Sequence, residues 1–255
     1  MACIYWLSGG LIGLMMGSFI NVVIYRLPLQ LIHPESSQNL FYPSSHCPRC
    51  KKRVRWRDNI PVLSWLLLHG KCRYCQCAIS VRYPQVEIIS ALFTLLLMWL
   101  IPVNLHLLGA LILFWALTAL AFIDLDHFLL PDAITLPLLW TGLFFKAMGW
   151  LPGSLHEAVF GAIAGYSLLW SLSYLYQSIK GVDALGMGDA KLLAAMGAWL
   201  GWPLIPSVLL LASGGAILCV LISRIGWQRD INQAIAFGPW IALAAISLFI
   251  HSIIF

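Results

Sequence analysis

Asp189 stands in the string Gly186-Met187-Gly188-Asp189-Ala190-Lys191, between long apolar segments. Asp124 ends another apolar run, 65 residues earlier. An ionised carboxylate at the edge of a bilayer is costly to keep there. Two of them at one membrane face make an acid/base pair suited to cutting a peptide bond. One takes a proton from water. The other, protonated, hydrogen-bonds the scissile carbonyl and then protonates the leaving amine. The string Gly186–Asp189 alone also reads as a tight loop with a helix cap. Its pairing with Asp124 gives it weight.

Asp126 follows Asp124 closely, but two positions on a helix point about 200° apart. Asp124 still belongs to the apolar run Leu120-Ala-Phe-Ile123, and Asp126 lies nearer water. Burial and a second carboxylate both favour a shared proton, so Asp124 is the expected member of the pair. Asp132, after Pro131, suits the start of the next helix, where its charge complements the dipole. Gly186 and Gly188 are expected to permit backbone turns and close approach of a substrate strand. Lys191 either snorkels to the interface or acts on a neighbouring carboxylate. Asp183 is expected to be solvated. Glu87 is expected to pair with Arg82 or to cap a helix. His33, His69, His106, His127, His156 and His251 form no ligand spacing.

A second set of residues suits a metal. Cys47-Pro-Arg-Cys50 and Cys72-Arg-Tyr-Cys75 are separated by 21 residues. Two such knuckles can present four thiolates tetrahedrally to one Zn²⁺. Arg49, Lys51, Lys52, Arg53 and Arg73 favour the thiolates electrostatically. A four-cysteine site is closed to substrate, so this metal is structural. Cys77 is a spare that could replace Cys75 or be buried. His46 reads as a surface residue, and Cys3 and Cys219 as packing residues.

These groups need elements to position them. The chain has 255 residues, 61% hydrophobic and only 10% charged. Soluble domains carry about 25% charged residues, so this is a membrane protein. Twelve Trp and eight Tyr suit interfacial belts. About eight transmembrane helices are expected, at 4–25, 84–101, 105–124, 132–150, 155–179, 190–201, 204–224 and 235–255. The first lacks a basic leader and reads as a retained span rather than a cleaved signal. The net charge of +5 does not point to nucleic acid. Placing the loop at 26–83 in the cytoplasm puts 14 of the 15 basic residues in or beside cytoplasmic loops. The fold class is therefore all-α and polytopic, with a small cytoplasmic loop domain stapled by zinc. Its parts are a first span (1–25), the loop domain (26–83) and a transmembrane peptidase core (84–255). Asp124 and Asp189 are separated by two complete spans, which returns the chain to one face.

These motifs resemble those of the type IV prepilin peptidases, bifunctional leader peptidases and N-methyltransferases. The likeness covers nearly the whole chain. It rests on Gly17-Ser-Phe-Ile-Asn-Val-Val-Ile-Tyr-Arg-Leu-Pro28, the two cysteine knuckles, Asp58-Asn-Ile-Pro-Val-Leu-Ser-Trp65 and Arg82-Tyr-Pro-Gln-Val-Glu87. Phe122-Ile-Asp-Leu-Asp126, Leu-Pro-Asp132 and Gly186–Lys191 complete it. The resemblance implies a GxGD aspartic protease with Asp124 and Asp189 as its catalytic pair, and zinc on Cys47, Cys50, Cys72 and Cys75. It implies a multi-pass inner-membrane enzyme of Gram-negative bacteria with its active site facing the cytoplasm. The implied substrates are prepilins and the pilin-like proteins of type II secretion. After cleavage, the new amine is methylated from S-adenosylmethionine. Methyl transfer has no local signature here, since there is no Rossmann-type glycine fingerprint. Asn21, Arg26, Arg82 and Glu87 could bind that cofactor near the zinc loop, or serve as interfacial anchors and ion pairs. A peptidase without methylase activity is disfavoured by the full zinc loop. A transporter would need acids near the midplane and inverted repeats.

Overall fold

The computed structural model describes residues 2–33, 35, 39–181, 186–227 and 235–254. Asp183 and Arg229 lie outside the described residues. Among those described there are helices and turns but no strand. Two compact units emerge, Met1–Pro102 and Val103–Phe255.

The first unit holds α1 (Ala2–Ile32), α2 (Leu63–Leu67) and α3 (Arg82–Leu100). A small-residue stripe joins α1 to α3. A Cβ at Gly13 would lie 2.6 Å from the Ala91 Cα, and one at Gly17 would lie 2.6 Å from the Glu87 Cα. At Gly9 the sulfur of Met98 would be met at 2.2 Å. Glycines four apart share one helix face, so the two backbones approach closely, as membrane helices do where no hydrophobic force separates lipid from protein. Between the two helices the chain runs through the polar loop, with a 3-10 turn at Trp56–Asn59.

The second unit holds α4 (Leu105–His127), α5 (Asp132–Ala147), α6 (Leu155–Lys180), α7 (Met187–Leu200), α8 (Ile205–Trp227) and α9 (Gly238–Ile254). Local sequence sets several of their ends. The Asn104 side chain caps α4 by accepting from the Leu107 N–H. Ser154 and Glu157 form a capping box on α6, and left-handed Gly181 closes it. At its centre lies α7, which packs against α5, α6, α8 and α9. Ten of its fourteen residues are buried. Gly161 of α6 and Gly197 of α7 face each other so closely that a Cβ on either would lie within 2.3 Å of the other's carbonyl oxygen. Trp199, 1% exposed, donates from its indole N–H to the Leu138 carbonyl at 2.8 Å. Gly142 leaves room for that ring, since its Cβ would be 2.6 Å from Trp199 Cδ1.

Among the described residues a helix stands at each of the eight expected spans, but five are long and apolar enough to cross a membrane: Cys3–Ile32, Arg82–Leu100, Leu105–His127, Leu155–Lys180 and Trp202–Ile222. Gly238–Ile254 is a shorter apolar helix. α5 and α7, of 16 and 14 residues, fall short of the roughly 20 that a span requires. α7 is apolar because its own unit encloses it on all sides. A buried core helix and a short span leave the same apolar signature in a sequence.

Candidate active site and metal centre

In the second unit, three helix ends converge. Asp124 lies in the last turn of α4 and is 5% exposed, whereas Asp126 is exposed. The helix stops at Phe128, whose left-handed backbone (φ 53°) turns the chain into the short segment leading to Pro131. Leu130 of that segment packs beside both Gly188 and Gly238. A Cβ at Gly188 would meet Leu130 Cβ at 2.9 Å, and one at Gly238 would meet Leu130 Cδ2 at 3.2 Å. The N-termini of α7 and α9 are thus held against the end of α4.

Each N-terminus addresses a carboxylate. The Gly238 N–H, at the start of α9, donates to Asp124 Oδ2 at 2.9 Å. Only glycine fits there, because a Cβ would sit 2.7 Å from that same oxygen. Asp189 lies in the first turn of α7, where the dipole favours an acid. It interacts electrostatically with Asp124. Its Oδ1 is buried and has no hydrogen-bond partner among the described residues. Buried polar atoms in native proteins are nearly always paired, so an orphaned carboxylate oxygen marks a place for a water or a substrate group.

Lys191 does not turn to this pair. Its Nζ donates to both carboxylate oxygens of Asp132, at 2.7 and 2.8 Å. Asp132 is the first residue of α5, with Pro131 as the cap. The two glycines of the string differ. Gly186 has an ordinary extended backbone (φ −68°, ψ 134°), so the expected special turn is absent. Gly188 is required for space against Leu130.

In the first unit, the Sγ atoms of Cys47, Cys50, Cys72 and Cys75 all lie within 4.8 Å of one another. Metal–sulfur bonds of about 2.3 Å place tetrahedral sulfurs about 3.8 Å apart. The Cys47–Cys75 separation of 3.7 Å fits that figure. The donor set thus suits a metal ion. The two knuckles are built alike. The Cys47 N–H donates to the Lys52 carbonyl, and the Cys72 N–H to the Cys77 carbonyl. Lys51 and Gln76 both adopt positive φ, 58° and 56°. Cys77 therefore occupies the place that Lys52 holds in the first knuckle. Its sulfur lies 3.3 Å from that of Cys75 and 3.5 Å from that of Cys47. Backbone N–H groups of Cys50 and Arg49 hold the Cys47 thiol down at about 6. The Cys75 and Cys47 sulfurs push Cys77 up to about 12.

Beside the knuckles lies a cavity of about 460 Å³. Asn21, Arg26 and Glu87 line it, while Arg82 does not. Glu87, within α3 rather than at its cap, accepts from the Val62 N–H at 2.7 Å.

Two family models match. Residues 11–101 fit the bacterial Peptidase A24 N-terminal domain, and residues 111–223 fit the type IV leader peptidase family. A prepilin leader peptidase/N-methyltransferase of Aeromonas salmonicida (strain A449) is 46% identical over 92% of this chain and 86% of its own length. The chain belongs to the type IV leader peptidase family. Relatives bearing the same name, from Pectobacterium carotovorum subsp. carotovorum and Pseudomonas aeruginosa, are 44% and 43% identical. They cover 95% and 92% of this chain, and 92% and 86% of their own lengths. No solved structure matches. For this member of the leader peptidase family, the structure brings Asp124 to Asp189 and gathers the four cysteines. Gly238 and Leu130 were not foreseen as parts of the site. Pro239 follows Gly238, and a proline just inside a helix start is a recognised N-terminal signal.

Proposed function

We propose that this chain removes the leader peptide of prepilins and pilin-like proteins and then methylates the new N-terminus. Two acids carry the first activity. Asp124 and Asp189 interact, Asp124 is buried and Asp189 half-buried, and one buried oxygen of Asp189 has no partner among the described residues. That last observation carries the reading. A water between the carboxylates gives up its proton to whichever is ionised, and the other supplies a proton to the leaving amine. The pair titrates as a unit, so neither acid is assigned the proton. Among the described residues no basic side chain is seen paired with either one, and Lys191 is held by Asp132.

The metal on Cys47, Cys50, Cys72 and Cys75 is assigned as zinc, with a structural role, since four thiolates leave no open position. Methyl transfer is assigned to the loop domain at 26–83 with its flanking helices. S-Adenosylmethionine supplies the electrophilic methyl group. Basic residues crowd the loops assigned to the cytoplasm, so cleavage is placed on that face of the bacterial inner membrane. The apolar side chains Leu210, Leu211, Ile217, Leu218 and Leu221 of α8 are exposed and suit lipid.

The test is a purified, lipid-reconstituted enzyme given a prepilin and methyl-labelled S-adenosylmethionine. A shortened pilin carrying the label is expected. Cleavage without label would remove the methyltransferase reading, and no cleavage would remove both.

A further inference from the structure

Glu87 is 7% exposed and lines the cavity of the first unit. Its carboxylate is held by the Val62 N–H and the Ser18 hydroxyl, both neutral donors. Asp58, another acid on the same cavity, is already committed to Arg73, with contacts of 2.8 and 2.6 Å. A buried carboxylate held only by neutral donors is costly. An acid in such a place is stabilised by a cationic guest. Four basic residues also line the cavity: Arg73 is held by Asp58, Arg26 donates to the Asn39 and Leu40 carbonyls, Lys52 lies over the Tyr74 ring, and Arg53 completes the set. The rest of the lining suits a small organic body. Apolar surface predominates, and Trp65 is fixed by an indole bond to the Ile79 carbonyl at 3.2 Å. Gly70 packs against the edge of that ring. A volume of about 460 Å³ is within the range of roughly 300–1,000 Å³ that small-ligand pockets occupy.

Resting on the methyltransferase reading, we propose that this cavity holds the methyl donor, with Glu87 facing its sulfonium pole and Trp65 beside its adenine. The charge has a consequence for turnover. The amine nitrogen freed by cleavage forms the new N–C bond. The C–S bond breaks, its electron pair goes to sulfur, and the secondary ammonium gives a proton to water. The product is a neutral thioether, so its attraction to Glu87 is gone. The cavity therefore binds donor more tightly than product, and product release follows from the loss of charge.

Equilibrium dialysis of the full-length protein in nanodiscs, with S-adenosylmethionine and with S-adenosylhomocysteine, tests this. Wild type is expected to favour the sulfonium by about tenfold. Glu87→Gln keeps an acceptor for the Val62 N–H but removes the charge. It is expected to lose about tenfold in affinity for the sulfonium, to hold the thioether nearly unchanged, and to retain its metal. An unchanged preference in Glu87→Gln, or equal weakening of both ligands, overturns the proposal. Wild-type protein that cleaves prepilin but binds neither ligand sinks the methyltransferase reading itself. Should Glu87→Gln lose its metal, ultraviolet crosslinking of wild type to methyl-labelled donor decides instead. Label within residues 18–26, 62–68 or 82–87 supports the site, and label confined elsewhere refutes it.

Discussion

The two units keep their acids in opposite ways. In the second, Asp124 and Asp189 lie close enough to interact, and the nearby cation Lys191 is tied to Asp132. In the first, Asp58 is bound to Arg73 and four thiols gather at one point. The difference follows from how each region is held. α7 has ten buried residues in fourteen, so packing alone fixes Asp189. Between residues 33 and 81, the buried residues described are Cys47, Ser64, Gly70 and Cys72. Two of the four, Cys47 and Cys72, belong to the cysteine cluster that could hold a metal. A loop with so little core needs cross-links, and charged groups are spent on them. The packed unit can leave its acids unneutralised, and that is what acid/base chemistry needs.

Metal removal should divide the units most sharply. Exhaustive chelation is expected to cut methyl transfer at least about 100-fold, because metal binding and loop folding are one equilibrium. Cleavage of prepilin by the same sample should fall less than about threefold. Parallel assays of shortening and labelling check this, and equal loss of both would erase the distinction.

Packing around the acids gives the next effect. Gly238→Ala must displace Asp124, and Gly188→Ala must displace Leu130. Each is expected to lower kcat/KM for cleavage by about 10- to 100-fold, the scale for a misplacement of about 1 Å. At Gly186 the backbone is ordinary and a Cβ would meet Asp189 Oδ2 at 3.6 Å, so Gly186→Ala should cost less than about threefold. Equal losses in all three would show that the string is needed for something other than space.

Within the metal centre, Cys77 separates two ligands. It lies 3.3 Å from Cys75, so Cys75→Ser should keep metal through Cys77 with affinity lowered by roughly tenfold. Cys72→Ser, with no such substitute among the described contacts, should lose its metal. Metal analysis after dialysis against a weak chelator distinguishes the two.

The smallest effect is at the surface of the loop. The Arg73 guanidinium holds the Asp58 carboxyl below the usual range. Such a group contributes stability above its unfolded pKa of about 3.9, and loses it as pH falls through the lower folded value. Arg73 is 48% exposed, so Asp58→Asn should cost no more than about 1 kcal/mol near pH 7 and almost nothing near pH 2. Thermal melts of the loop at the two pH values measure it.

What could be read beforehand was what lies close together in the chain. The cysteine knuckles and the string ending in Asp189 are short patterns with fixed chemistry. The depth of Asp124 followed from the apolar run before it. Gly238 was hidden because its partner lies 114 residues away. Burial of α7 was hidden because a 14-residue apolar segment looks the same inside protein as inside lipid. The stripe of Gly9, Gly13 and Gly17 was present at a spacing of four, but glycine is common in membrane helices and no partner face was known. Lys191 bound to Asp132 was one of several pairings that charge alone allowed.

The central claim is that Asp124 and Asp189 act as one device. Its most direct test is a cycle of cleavage rates for Asp124→Asn, Asp189→Asn and the double variant in the intact, metal-bearing enzyme. Residues that work as a unit are strongly non-additive, so each single change should lower kcat by at least about 10⁴ and the double change should add almost nothing. Appreciable cleavage by either single variant, or losses that multiply in the double, would contradict the account.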